Sequence, residues 1–372
     1  KQINKKLNIK FKYTSALLRG SDAILTTLNM AGNLFLSGVA VDLNRVNAVD
    51  ENKVKFLADI DPYPWNHSNK YWNESQLVKN QRLRKHPRLD LLGAQTPDLL
   101  TQQARFRNIL RLHEMPWMEA HQVQGSVLYP AAGMIIMAIE GMKQLADESR
   151  DIDGYELRDV TIGKAIVVDR SEDGTETMLC IQPRRLGTRA DTAAFEEFVI
   201  YSLNGETWNQ HCSGLVRIRY KSDPNDLFPD ESKITNEAYR KQYQKVLSQC
   251  VNSRNMRTYY ENLESIGLKY GPLFQNLTEI HKGDFQAVCA LTIPDTKSAM
   301  PGKFEYPHVI HPATLDCIVQ MGIPAATPLA VDLSAARVPT FAKGLFISAD
   351  VPSAPGSVLR GYSVASTGES SV

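Results

Sequence analysis

The nine residues after Pro130, Ala131-Ala-Gly-Met-Ile-Ile-Met-Ala-Ile139, are small or apolar on every face of a helix. A helix hydrophobic all round is stable in water only when other structure encloses it. Pro130 suits its start, because the amide hydrogen that proline lacks would be unpaired there anyway. Strand-like pieces precede it, among them 104–110 and 125–129. More follow at Val160–Val168, Thr177–Gln182, Phe195–Ser202 and Gly214–Tyr220, separated by Gly- and charge-rich turns. The short helix therefore has a sheet available to wrap it.

The outline recurs. After a polar, proline-bearing connection from Lys221, Glu237–Ile266 reads as an amphipathic helical region. Gly267–Pro272 reads as a turn, and strands are expected at Leu277–Ile280 and Gln286–Ile293. Pro312 then opens a second, largely apolar helix that Pro324 stops, and strand-like pieces at Ala336–Val338, Gly344–Ala349 and Val358–Val364 close the chain. A helix wrapped by antiparallel strands, twice over, is an α+β double hot-dog fold. The expected division is a front segment over 1–85, one hot dog over 86–221, a connection over 222–235 and a second hot dog over 236–372. In the front segment, 15–39 has helical spacing with Gly38 at its end. The run Asp61-Pro-Tyr-Pro-Trp-Asn-His-Ser-Asn-Lys-Tyr-Trp72 is a proline-stiffened linker whose rings can pin it to neighbouring domains.

Superimposing Pro130 on Pro312 sets Met134 against Asp316 and Lys303 against His121. Each half then holds a polar group that the other lacks, which implies one composite site. Asp316 and Gln320 are four residues apart, hence on one helix face. Burial favours the neutral form of a carboxyl and of an imidazole, so Asp316 is expected to donate a proton and His121 to accept one. Such a pair suits removal of a C–H proton next to a carbonyl while a hydroxyl leaves as water. Backbone N–H groups near Gly125 or Gly133 would meet the charge developing on the carbonyl oxygen. The bland alternatives are a structural histidine beside an apolar helix and an aspartate that serves a helix dipole; Asp316 lies four residues past Pro312, beyond the usual cap position.

Other chemistries find less support. Lys+Arg 42 against Asp+Glu 41 leaves a net charge of +1, so there is no basic footprint for nucleic acid. No apolar run is long enough to span a membrane, and no leader is visible; the start at Lys1 suggests a piece of something larger. Five scattered cysteines without a C-x-x-C pair read as reduced thiols, and the expected location is cytoplasmic. His113 and His121 are not spaced as H-E-x-x-H, and Pro116 interrupts any helix carrying both. His211-Cys212 are adjacent strand residues that point to opposite faces. Neither a cofactor nor a metal is implied.

Three motifs in order, His121-x-x-x-Gly125-x-x-x-x-Pro130, Tyr270-Gly271-Pro272-x-Phe274 and Asp316-x-x-x-Gln320, resemble the dehydratase domain of fungal, highly reducing, iterative polyketide synthases. Residues 1–85, with Pro62-Tyr-Pro-Trp-Asn-His67 and Tyr71-Trp72, resemble the tail and linker that follow an acyltransferase domain. The resemblance implies that His121 takes the α-proton and Asp316 protonates the departing β-hydroxyl, leaving a trans-α,β-enoyl thioester. Gln320 would orient Asp316. Gly125, Pro130, Tyr270, Gly271 and Pro272 would shape and position the thioester end. The substrate would arrive on the phosphopantetheine arm of an acyl carrier protein, with no cofactor beyond that arm. Acyltransferase and reductase domains would be neighbours, and the full synthase would be a homodimer. Arg184, Arg185, Arg189, Arg217 and Arg219 are candidates for docking an acidic carrier, with solvated strand-edge arginines as the alternative. Two departures concern the surroundings of the dyad: Leu268 stands where the family often has tyrosine, and Val338-Pro-Thr-Phe341 follows a later proline–aromatic motif only loosely. A product-template cyclase on the same scaffold and a silent structural domain are the competing readings.

Overall fold

The computed structural model describes residues 13–50, 52–55, 57–98, 103–184, 195–221 and 231–365, with the side chains of 231–234 left aside. The chain divides into two compact units, Lys1–Asn73 and Glu74–Val372. In the first, helix α1 spans Ala23–Leu36, shorter than the 15–39 spacing suggested. Asp22 sets its start by accepting the Ile24 and Leu25 amides, and Ser37 and the left-handed Gly38 (φ 80°) end it. A single turn, α2, follows at Leu43–Val46. Tyr63, Trp65, Tyr71 and Trp72 are all exposed, with Tyr63 and Trp65 in mutual ring contact.

The second unit is a double hot dog. It starts before the expected residue 86: helix α3 (Gln76–Arg82) belongs to it, and Asn80 reaches the Pro97 carbonyl at 3.0 Å. Strands β1 (Ala94–Gln95), β2 (Ala104–Leu110), β3 (His121–Val123) and β4 (Ser126–Tyr129) lead to helix α4 (Ala131–Gln144). Then come β5 (Ile152–Ile162), β6 (Ile166–Val167), β7 (Thr175–Pro183), β8 (Glu196–Asn204) and β9 (Thr207–Tyr220). Helices α5 (Glu231–Gln249) and α6 (Met256–Ser265) flank β10 (Asn252–Ser253). Finally β11 (Leu268–Tyr270), β12 (Leu277–Gly283) and β13 (Gln286–Thr292) precede helix α7 (Pro312–Gln320), and β14 (Phe341–Ser348) and β15 (Val358–Val364) close the unit.

The larger sheet runs β1-β2-β7-β8-β9-β5-β14, antiparallel throughout, and α4 lies on it. Ile136, Met137, Ala138 and Ile139 of α4 are wholly buried with Phe106, Leu179, Phe198 and Val216 of the strands. At ~1.5–3 kcal/mol for each fully buried large aliphatic chain, that contact is what holds so apolar a helix in place. The second sheet, β10-β12-β13-β15, packs Ala287, Cys289 and Leu291 beneath Cys317 and Met321 of α7 and its C-terminal end. A third, small sheet, β11-β3-β4-β6, joins the repeats.

Several local expectations change. Pro130 is the cap residue of α4 rather than part of its first turn, while Pro312 does occupy the first turn of α7. Residues 268–270, expected in a turn, form a strand because β3 offers them an edge to pair with. The region 237–266 is two helices: the Asn255 side chain accepts the Thr258 amide and starts α6, after Asn252 and Ser253 have paired with Lys282 and His281. Its first helix already begins at Glu231, inside the expected connection; 222–230 lie outside the described residues. The expected strand Val160–Val168 is broken at 163–165 between the end of β5 and β6, and β5 starts back at Ile152. Residues 336–338 form no strand, and Pro324 opens a short 3-10 turn after α7 has already ended at Gln320. Lys303 ends an exposed 3-10 turn with positive φ, so it is no backbone equivalent of the strand residue His121. The second half is also not self-contained, since its β11 and β14 complete sheets of the first.

Candidate active site

His121 begins β3, straight after the 3-10 turn Pro116–Ala120. Strands β3 and β4 form a hairpin whose two-residue loop, Gln124-Gly125, has φ of 49° and 81°. Both values are left-handed, as a type I′ loop requires, and glycine meets that requirement without strain. The hairpin folds Leu128 back over the histidine, and its carbonyl lies 2.8 Å from Nδ1. A carbonyl only accepts, so Nδ1 carries the hydrogen, and in the neutral ring Nε2 is the nitrogen with the free lone pair. Nε2 faces the Oδ1 atom of Asp316 at 3.9 Å, and both residues are only 8% exposed.

Asp316 sits mid-way along α7, whose start is fixed by His311 Nδ1 accepting the Ala313 amide at 3.0 Å. Burial raises the Asp316 pKa, and the opposing effects of His121 and the Gln320 hydrogen bond do not cancel it. One helical turn on, Gln320 Nε2 donates to Asp316 Oδ2 at 2.9 Å and to the Phe274 carbonyl at 3.2 Å. The expected pairing of Asp316 with Gln320 on one face is therefore what the structure shows.

Tyr270 lies directly opposite His121 in the β11–β3 ladder, with ring centroids 5.7 Å apart, and Phe274 covers the imidazole at 5.3 Å. Burial, then the nearby Asp316 charge, push the Tyr270 phenol up, so it stays protonated. Gly271 donates to the Ala120 carbonyl at 2.7 Å, and a Cβ there would stand 2.8 Å from the Ala120 Cβ. Only glycine permits that approach, and Pro272 then turns the chain into the 3-10 turn Pro272–Phe274.

His121, Asp316, Gln320, Tyr270 and Gly271 thus converge. Gly125 does not: it is exposed at the hairpin tip, roughly 10 Å along the strand from His121 at ~3.3 Å per residue, and its role is the turn. Pro130 acts through backbone too, its carbonyl accepting the Gly133 amide at 2.9 Å, which commits that amide within the helix. Arg217 is paired with Glu156, and Arg219 with Asp153 at 3.2 Å; each also stacks on a phenylalanine ring. Both arginines therefore have partners within the sheet, on a strand flanked by β8 and β5. Arg184 lies at the end of the described β7–β8 strands, and Arg185 and Arg189 fall outside the described residues. His211 is structural, with Ser202 Oγ at 2.7 Å and the Lys164 carbonyl at 3.0 Å. Burial pushes the neighbouring Cys212 thiol up to about 12. Among the described residues no group of His, Cys, Asp or Glu is placed to hold a metal ion, and no helix is long and apolar enough to cross a membrane.

Sequence reasoning missed Trp117, Tyr260 and the backbone carbonyls of Leu128 and Phe274. Trp117 packs on Phe274, Tyr129 and His311, and Tyr260 reaches Gln320. Tyr260 carried a readable signal, an aromatic on the inner face of an amphipathic helix ten residues before Tyr270. The carbonyls carried none, because every residue has one.

A buried imidazole faces a buried carboxyl, one from each hot dog, an arrangement suited to acid–base chemistry. Comparison with known proteins narrows it. The family model described as polyketide synthase dehydratase domain matches residues 89–196, and that described as polyketide synthase dehydratase N-terminal domain matches 239–371. The chain belongs to the polyketide synthase dehydratases, hydro-lyase domains that dehydrate a β-hydroxyacyl intermediate during polyketide synthesis. The reducing polyketide synthase FUB1 of Gibberella moniliformis is 39% identical over 353 residues, 95% of this chain and 14% of that protein. The highly reducing polyketide synthase tstA of Talaromyces stipitatus is 36% identical over 372 residues, 97% of this chain and again 14% of its own. The chain therefore spans a small part of these large relatives. Among solved structures, the dehydratase domain from the CurJ module of curacin polyketide synthase superposes with a TM-score of 0.56 at 16% identity, over 76% of this chain and 87% of that one. The CurK dehydratase gives 0.53 at 22% identity, over 69% and 81%. These likenesses show the fold.

Proposed function

We propose that His121 and Asp316 eliminate water from a β-hydroxyacyl thioester delivered on the phosphopantetheine arm of an acyl carrier protein, giving a trans-α,β-enoyl thioester. The observation that carries this reading is the 3.9 Å approach of His121 Nε2 to Asp316 Oδ1, with Nδ1 held as a donor by Leu128. Nε2 removes the α-proton. The C–H electron pair forms the new Cα–Cβ double bond, and the β-hydroxyl departs with the proton of Asp316. The dyad is left as imidazolium and carboxylate, and a proton passing from the first to the second restores it. Charge developing on the thioester oxygen is met by the α4 N-terminus, which has no side-chain cap. Tyr270 stays protonated as a donor beside the dyad.

Two of the structures similar to this chain are of the CurK dehydratase inactivated by a His-to-Phe and by an Asp-to-Asn change, which supports a dyad of the same residue types here. The natural setting proposed is a dimeric fungal synthase in a reducing, cytoplasmic compartment, where residues 1–73 follow an acyltransferase and a reductase lies further on. Five unpaired cysteines fit that compartment. The test is incubation with a β-hydroxyacyl pantetheine thioester, following loss of water by mass spectrometry. The native protein is expected to yield the enoyl thioester, and a native protein that leaves the substrate intact refutes the reading.

A further inference from the structure

Resting on that dyad, we propose that Tyr260 is a positioning residue: it locks the orientation of the Gln320 amide and thereby places the reactive proton of Asp316 on Oδ1, the oxygen that faces His121.

Two backbone groups of opposite polarity bracket the amide. The Leu277 N–H, which can only donate, points at the Tyr260 hydroxyl oxygen at 3.2 Å. That leaves the phenolic hydrogen free to turn to Gln320 Oε1, 3.3 Å away. On the other side the Phe274 carbonyl, which can only accept, lies 3.2 Å from Gln320 Nε2. Reversing the amide would set its oxygen against that carbonyl and discard the bond from Tyr260. With the amide so fixed, its second N–H has one destination, Asp316 Oδ2 at 2.9 Å. Each hydrogen and acceptor in the chain Leu277, Tyr260, Gln320, Asp316 is then used once. Oδ2 acts as an acceptor, so the proton of the neutral carboxyl resides on Oδ1, 3.9 Å from His121 Nε2. Gln320 is 1% exposed and Tyr260 9%, so water is a poor substitute for either partner.

Few other charges compete around Asp316. The titratable groups facing it are His121 on β3, Tyr270 on β11, Tyr260 on α6 and Cys317 on its own helix. Burial pushes both phenols up, and the Cys317 thiol to about 12, so these three stay neutral beside Asp316. The Gln320 hydrogen bond favours the ionised carboxylate. Loosening the amide should therefore move the Asp316 titration to higher pH.

The variant is Tyr260→Phe, which keeps the ring and removes only the hydroxyl. kcat is expected to fall about ten- to a hundredfold, the range for a reacting group misplaced by up to ~1 Å, with KM nearly unchanged. The basic limb of the kcat profile is expected to move to higher pH. In a Gln320→Leu background the same change should leave that limb where Gln320→Leu alone puts it, since the relay is already broken. The Asp316 carboxyl is also followed directly by 13C NMR titration in both proteins, a readout that needs no turnover. An upward move in Tyr260→Phe that is absent from the Gln320→Leu background supports the relay. An unmoved titration, or an equal shift in both backgrounds, overturns it. Should the native protein fail to dehydrate the thioester, the dyad reading falls, and the NMR titration still decides the relay.

Discussion

Gly271 packs against the residue that precedes His121, and Gly271→Ala perturbs the dyad from behind. The added Cβ would stand 2.8 Å from the Ala120 Cβ and 3.1 Å from its Cα. Carbon atoms prefer separations of about 3.5–4.0 Å, so one segment must yield by about 1 Å. The first candidate is Ala120, held to Gly271 by a 2.7 Å hydrogen bond and followed directly by His121. Overpacking of this kind costs about 1–3 kcal/mol, and in a unit this large each kcal/mol lowers the melting temperature by about 2–4 °C. Displacing Nε2 by a comparable distance costs about a hundredfold in rate. Thermal unfolding and turnover of a β-hydroxyacyl pantetheine thioester measure the two effects separately. The decisive comparison is the double variant Ala120→Gly, Gly271→Ala, which removes the nearer of the clashing atoms. It should recover much of the rate lost in Gly271→Ala, measured against Ala120→Gly alone. A native-like Gly271→Ala, or losses that simply add in the double variant, would refute this account of why glycine stands there.

Three further outcomes are expected. His121→Phe and Asp316→Asn should each lower dehydration by at least ~10²–10⁴-fold, the usual contribution of acid–base groups, with an unchanged circular dichroism spectrum; near-native turnover in either would remove that residue from the dyad. Because burial raises the folded-state pKa of Asp316, its contribution to stability is complete below the unfolded value of ~3.9 and is lost as pH rises through the folded value. The urea midpoint of the native protein should therefore fall relative to Asp316→Asn over that window; parallel midpoints would contradict a raised value. Gly125→Ala puts a side chain at φ 81° with no atom within 4 Å of the new Cβ. It should cost about 1–2 kcal/mol in stability and leave kcat within a few-fold of native, whereas a collapse in kcat with an unchanged melting temperature would return Gly125 to the active site.

What could be read from the sequence was what composition and spacing dictate locally. An apolar helix behind Pro130 has to be enclosed, and it is. Asp316 and Gln320 one turn apart have to share a face, and they do. Alternation placed β2 at 104–110 to the residue, because its side chains divide between a core and a solvent face. The failures share a cause in long-range pairing. Leu268–Tyr270 has the look of a turn, bounded by Gly267 and Gly271, until β3 supplies an edge. Nor does anything local say that β14 will pair with β5 across the repeat boundary. The position of Gly125 was hidden for a related reason: spacing fixes where a motif residue lies in the chain, but the hairpin decides whether it turns inward or marks the tip.

These cross-repeat pairings explain how a site divided between two repeats keeps its geometry. His121 and Asp316 are 195 positions apart in the chain, and a 3.9 Å approach survives only if the repeats cannot slide. The Tyr270–His121 pairing ties them at the imidazole, and β14 ties them at the far edge of the larger sheet. Between these, α4 carries a carboxylate that its burial would otherwise penalise. Glu140 is 2% exposed, and its Oε1 accepts the Val309 amide at 2.8 Å, three residues before Pro312 opens α7. Beside it, His308 faces Asp90 at 3.4 Å. Burial lowers the His308 pKa, but the Asp90 carboxyl outweighs it and leaves the value raised. Side chains of the first repeat thus grip His308 and Val309, shortly ahead of the helix that bears Asp316. Apolar packing alone would hold the repeats together without fixing their register. Hydrogen bonds to backbone are directional and register-specific, which is a physical reason for a buried glutamate to persist in so apolar a helix.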